Sequence, residues 1–132
     1  MFDQPIILIV DDDARYVELL ALTLQRSGYQ VLTAFSGEDA LIAAKNCPDL
    51  VILDIVMPGI DGFEVADRLA SAAGKATPFI FLTAKGQPHH RLAGLGLGAV
   101  EYITKPFHPD QLLSVVEVAL TSSAVTGRRE VQ

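Results

Sequence analysis

A chain of 132 residues, half of them apolar and one fifth charged, has the composition of a globular domain with a hydrophobic core, not of a disordered segment. The formal net charge of −6 argues against direct nucleic-acid binding, which depends on Lys and Arg neutralising phosphates. No apolar run approaches the roughly 18 residues that span a membrane, no basic segment and hydrophobic stretch mark secretion, and the single cysteine, Cys47, cannot form an internal disulfide, so the expected location is the cytoplasm.

In chain order, the apolar run "IILIV" at 6–10 predicts a strand buried on both faces. Residues 14–27 place Val17, Leu20 and Leu24 at helical spacing, and Gly28 closes that helix. A short strand is expected at 30–34. A helix is expected at 37–46, with Ala40, Leu41 and Ala44 inward. "LVIL" at 50–53 is a second fully apolar strand, and 62–73 is a helix with Phe63, Ala66 and Leu69 on one face. A third apolar strand is expected at 79–82, then a weak helix at 88–97 that contains Gly94 and Gly96, then a strand at 100–103. The last helix is expected at 109–121, with Pro109 suited to its first turn and Val118 falling on its polar side. Strands and helices in alternation imply an α/β fold, one mostly parallel sheet covered on both faces. The domain reading is one domain over 1–121, followed at 122–132 by a polar tail or the start of a linker.

Parallel strands present their C-terminal ends on one edge, where ligands of such sheets bind. The first strand runs into Asp11, Asp12 and Asp13. Two carboxylates about 4 Å apart repel by roughly 4 kcal/mol at an effective dielectric near 20, so the run needs a reason. Helix capping accounts for one or two of them, and a third invites a hard cation. The third strand ends in Asp54, the fourth in Thr83, and Lys105 follows the fifth. Each alone has an ordinary explanation: a turn, a cap, a solvated lysine. Their convergence on one edge points to a site. Clustered carboxylates suit Mg²⁺, and a lysine and a hydroxyl beside it suit an oxyanion such as a phosphoryl group. One carboxylate can then act as nucleophile and form an aspartyl phosphate.

The motifs "VDDD", "LDIVMPGIDGFE", "LTA" and "YITKPF", in that order and spacing, resemble the receiver domain of two-component response regulators, of the chemotaxis-regulator-like kind, over about residues 5–120. The resemblance implies a doubly wound five-stranded parallel sheet of order 2-1-3-4-5, the flavodoxin-like receiver fold. It implies Asp54 as phosphoacceptor, Asp12 as a direct Mg²⁺ ligand and Asp11 as one acting largely through water, with the backbone carbonyl of Val56 completing the shell. Lys105 would pair with the phosphoryl oxygens. Thr83 would turn inward to the phosphoryl group, Tyr102 would follow it as an aromatic switch, and the Lys105–Pro106 bond would be cis. Asp13 is then the cap of the first helix. Two positions beside the site are chain-specific. The side chain of Val56 cannot orient an attacking water, and Lys85 either reaches the phosphoryl group or is solvated. The implied partners are a sensor histidine kinase or phosphotransfer protein and a downstream protein target or fused output domain, with neither nucleic acid nor membrane bound by this domain.

Rival readings are weaker. "DDD" superficially resembles the Asp-x-Asp of haloacid-dehalogenase-like phosphatases, but Ala14 and Arg15 stand where a Thr or Ser is expected, and no cap domain is present. A receiver-like scaffold that is never phosphorylated would be expected to have lost part of the site. A flavin-binding reading of the same fold needs a phosphate-cradling loop after the first strand, where this chain has "DDDAR", which would repel phosphate.

Overall fold

Five strands pair into one parallel sheet: β1 (Ile6–Val10), β2 (Gln30–Ala34), β3 (Leu50–Asp54), β4 (Phe79–Thr83) and β5 (Ala99–Thr104). Their order is β2-β1-β3-β4-β5. The computed structural model describes residues 4–72, 77–84 and 99–123. Three helices, α1 (Ala14–Arg26), α2 (Gly37–Ala43) and α3 (Gly62–Ala72), and a C-terminal helix (Pro109–Ser123) cover the sheet. The helix expected at 88–97, Lys85, and the tail beyond Ser123 lie outside the described residues.

The strand sequences explain why both faces are covered. Side chains alternate across a strand, so a run of apolar residues supplies two cores at once. Ile7, Ile9, Leu50, Ile52, Ile80, Leu82 and Ile103 pack on one face against Val17, Leu20 and Leu24 of α1 and Leu112, Val116 and Ala119 of the C-terminal helix. Leu8, Val10, Val51, Leu53, Phe79, Phe81 and Tyr102 pack on the other against Ala40 of α2 and Val65 and Ala66 of α3. Every residue of β3 is buried. Val118 is exposed, on the polar side of its helix as its spacing suggests.

Local chemistry sets the helix ends. Asp13 caps α1, its carboxylate accepting the N–H groups of Arg15 (3.1 Å) and Tyr16 (3.3 Å). At the other end Gly28 takes φ +96. Its N–H donates to the Gln25 carbonyl (3.0 Å) and that of Tyr29 to Leu24 (3.2 Å), the paired closure a C-terminal glycine permits. The helix expected at 37–46 is shorter than its periodicity suggests. It is α-helical to Ala43 and tightens to a 3₁₀ turn over Ala44–Asn46, before Cys47 at φ 56. Pro48 keeps the helix from continuing beyond that turn, because the residue before a proline avoids the right-handed helical region. At the start of α3, Asp61 accepts the Glu64 N–H (2.9 Å), and Gly62 N–H donates to the Ile55 carbonyl (2.8 Å). A side chain at Gly62 would overlap the carbonyl oxygen of Asp54 and lie 2.8 Å from Ile55 Cα, so α3 begins directly against the backbone that carries Asp54.

Candidate functional site

Sheet register brings the polar residues level. Val10 lies opposite Leu53, so Asp11 and Asp54 emerge side by side from neighbouring strands. Asp54 pairs with Leu82, and Thr83 with Thr104, immediately before Lys105. The chain reverses its direction across the sheet between β1 and β3, which opens a crevice at the strand ends. Asp11 and Asp54 are the buried charged residues among those described, at 1% and 6% exposure, whereas Asp12 is exposed. One carboxylate oxygen from each of Asp11, Asp12 and Asp54 lies within 4.8 Å of the others. Lys105 Nζ lies 2.7 Å from Asp11 Oδ2 and 3.6 Å from Asp54 Oδ2. Asp13 takes no part, since its carboxylate is spent on the helix cap.

A family model for the response regulator receiver domain matches residues 7–117. The chain belongs to the response regulator receiver family. Among curated proteins it is similar to the alkaline phosphatase synthesis transcriptional regulatory protein PhoP of Bacillus subtilis, 42% identical over 122 residues, covering 92% of this chain and 50% of that protein. It is also similar to the phosphate regulon transcriptional regulatory protein PhoB of Pseudomonas aeruginosa, 40% identical over 116 residues, covering 86% of this chain and 51% of that one. The chain spans about half the length of the curated relatives it matches. Among solved structures it resembles a putative response regulator from Chloroflexus aurantiacus (TM-score 0.85, 40% identity, covering 90% of this chain and 99% of that one). A CheY-like receiver domain protein from Methanospirillum hungatei has a TM-score of 0.88 at 27% identity, covering 95% of this chain and 100% of that one.

The electrostatics of this receiver turn on a cluster of three carboxylates, two of which face one ammonium. Burial pushes the Asp54 carboxyl up to about 6, and the charges of Asp11 and Asp12 add to the rise. Lys105 and the Ile55 N–H oppose it. For Lys105, burial favours the neutral form, but its close contact with the accepting Asp11 carboxylate and the charges of Asp54 and Asp11 outweigh it. The ammonium is held above its ordinary range and stays charged at neutral pH. Asp11 is engaged at both oxygens: Oδ1 accepts the Asp13 N–H (3.0 Å) and Oδ2 meets Lys105. Asp12 has no protein partner among the described residues and presents its carboxylate to solvent, the arrangement that leaves a ligand oxygen available. An all-oxygen donor set with retained water suits a hard divalent ion, so these side chains fit Mg²⁺.

The remaining residues singled out in the receiver's sequence fall as follows. Tyr102 is 4% exposed, its ring 6.1 Å from that of Phe81 within the core on the α2 and α3 side. The Lys105–Pro106 peptide is cis. Val56 stands two residues past Asp54 and is 68% exposed. The side chain of Thr83 lies outside the described residues; its backbone ends β4.

Two contributors to the site are not evident from the sequence. Gly62 permits the close approach of α3 to Asp54. Tyr16 lies under Lys105, with Nζ 4.5 Å from the ring centroid. Burial raises the Tyr16 phenol above its ordinary range; the Phe107 N–H and Lys105 oppose that rise, while Asp11 and Asp54 reinforce it. The available signal for Gly62 was the "IDGFE" stretch, where a glycine opens a helix. Tyr16 gave none, because an aromatic residue in the first turn of an amphipathic helix reads as ordinary packing.

Proposed function

We propose that this receiver accepts a phosphoryl group on Asp54 from a sensor histidine kinase or a phosphotransfer protein, with Mg²⁺, and that the modification switches a partner-binding face. The observation that carries this reading is the buried Asp54 carboxylate set between the Asp11–Asp12 pair and the Lys105 ammonium. Asp11, Asp12 and Asp54, with the backbone carbonyl of Val56, would hold Mg²⁺, which when bound supplies positive charge to the transferring oxygens.

An oxygen of Asp54 attacks phosphorus in line with the donor histidine nitrogen. The O–P bond forms as the P–N bond breaks, and the imidazole leaves with the bonding pair and takes a proton from water. Such a transition state asks the protein mainly for position and charge. Lys105 neutralises the phosphoryl oxygens, and the Thr83 hydroxyl donates a hydrogen bond to them. Hydrolysis of the acyl phosphate by water resets the domain, and Val56 offers that water no polar side chain. Tyr102 relays the displacement of Thr83 to the surface around β5. Similarity to proteins named as transcriptional regulators, twice this chain's matched length, supports a fused output domain as the recipient; a separate protein target is the other possibility. The acidic surface makes the receiver itself a poor contact for nucleic acid.

Intact-mass measurement after incubation with acetyl phosphate and Mg²⁺ tests the chemistry. Wild type should gain one phosphoryl group, and Asp54→Asn, or wild type in EDTA, should gain none. Equal labelling of the Asn variant would overturn the assignment.

A further inference from the structure

Tyr16 has no part in the chemistry proposed above, yet it touches the group on which that chemistry depends. It lies in the first turn of α1, whose start is fixed by the Asp13 cap. Its ring face receives the Lys105 ammonium at 4.5 Å. Its edge-to-face partner is Phe107, with centroids 5.5 Å apart and planes at 87°. The Phe107 N–H donates to the Tyr16 phenol oxygen at 3.3 Å, joining positions separated by 91 residues. One side chain therefore holds both the lysine tip and the backbone two residues beyond that lysine.

The physical need is specific. A lysine carries its charge on a flexible stem, and fixing that stem has an entropic cost. A neighbouring carboxylate draws the ammonium but does not define its direction. An aromatic face attracts a cation electrostatically, shields one side of it from water and closes off that side to the stem. Asp11 fixes a second side at 2.7 Å, and the direction left open leads to Asp54 at 3.6 Å.

We propose that Tyr16 is a positioning residue: its ring face aims Lys105 between Asp11 and Asp54 before a phosphoryl group arrives. The inference rests on Asp54 being the phosphoacceptor. The competing account is that Tyr16 only fills space beside the core formed by α1 and the C-terminal helix, where it packs. A leucine would then serve equally well.

The test compares wild type, Tyr16→Phe and Tyr16→Leu by two readouts. The first is the NMR shift of the Lys105 ε-methylene without any phosphodonor, assigned by its disappearance in Lys105→Arg. A ring face beneath the ammonium shifts those protons upfield. The second is the rate of labelling at saturating acetyl phosphate and Mg²⁺. Tyr16→Phe should keep the upfield shift and label within about twofold of wild type, whereas Tyr16→Leu should lose the shift and label about five- to tenfold more slowly. If Tyr16→Leu does not fold, Tyr16→Met replaces it with the same expectation. Wild-type labelling in Tyr16→Leu would overturn the proposal, and so would a Lys105 signal in wild type at the position of exposed lysines. A wild type that takes no phosphoryl group on Asp54 would instead defeat the phosphoacceptor reading, while the ε-methylene shift still reports on the Tyr16–Lys105 contact.

Discussion

Lys105 stands nearer to Asp11 than to Asp54, at 2.7 Å against 3.6 Å. The lysine is thus first the counter-ion of a carboxylate that has only 1% of its surface in water. Removing one member of a buried pair leaves the other uncompensated, which costs more than the pair itself contributes.

Lys105→Met should therefore destabilise the metal-free protein by about 3 kcal/mol at neutral pH. Adding Asp11→Asn to it should recover a large part of that loss. Urea unfolding of the two single variants and the double variant forms a cycle that measures the coupling. Additive losses would show that the pair does not interact.

The raised carboxyl of Asp54 makes a pH prediction whose sign is opposite to the usual one for an acid. Its value is about 6 in the folded chain against 3.8 unperturbed. The folded state binds this proton more tightly, so the stabilisation is present below the unfolded value and is lost as pH rises through the folded one. Lys105 stays protonated throughout and does not contribute a slope in this range. In EDTA, the wild-type urea midpoint minus that of Asp54→Asn should fall between about pH 3.5 and 6.5 and be flat above that. Saturating Mg²⁺ should reduce the fall, because the ion favours the carboxylate. A difference that is constant with pH would refute the burial argument.

Asp12 is exposed and Asp11 already has protein partners, so the two acids should differ in their roles. Asp12→Ala should abolish measurable Mg²⁺ binding by calorimetry while leaving the fold intact or slightly more stable, since one of three mutually repelling charges is gone. Unfolding of Asp12→Ala would mean that the residue supports structure instead.

Gly62→Ala should destabilise the domain by about 2 kcal/mol or more, because the methyl group meets backbone that cannot give way. It should also weaken Mg²⁺ binding by displacing Asp54. Gly28→Ala is the control: nothing lies within 4 Å of its added Cβ, and only its φ of +96 is strained. That variant should cost about 1 kcal/mol and leave Mg²⁺ binding unchanged.

What the sequence discloses and what it hides follow from the range of the interactions involved. β1, β3 and β4 are legible because their apolar runs and their burial are the same fact, and the strand-end acids follow from the direction of a parallel sheet. The fully apolar "LVIL" extends by one residue to include Asp54, whose backbone pairs with Leu82 although its side chain leaves the core. The 3₁₀ ending of α2 escapes a periodicity argument, since Ala44 keeps the apolar spacing whichever way the last turn is wound. Tyr16 and Gly62 escape for a different reason. Each matters because of something that folding brings close, the Lys105–Phe107 segment in one case and the Asp54 backbone in the other.

Ile52 and Leu53 are adjacent in the chain, yet one belongs to the core beneath α1 and the C-terminal helix and the other to the core beneath α2 and α3. The sheet is a wall one residue thick. A void opened on one side cannot be filled from the other, and a bulkier side chain on one side presses only on its own tenants. The two flanks of the domain are thus separately editable: the surface over one can drift to suit a new associate while the packing under the other stays as it was.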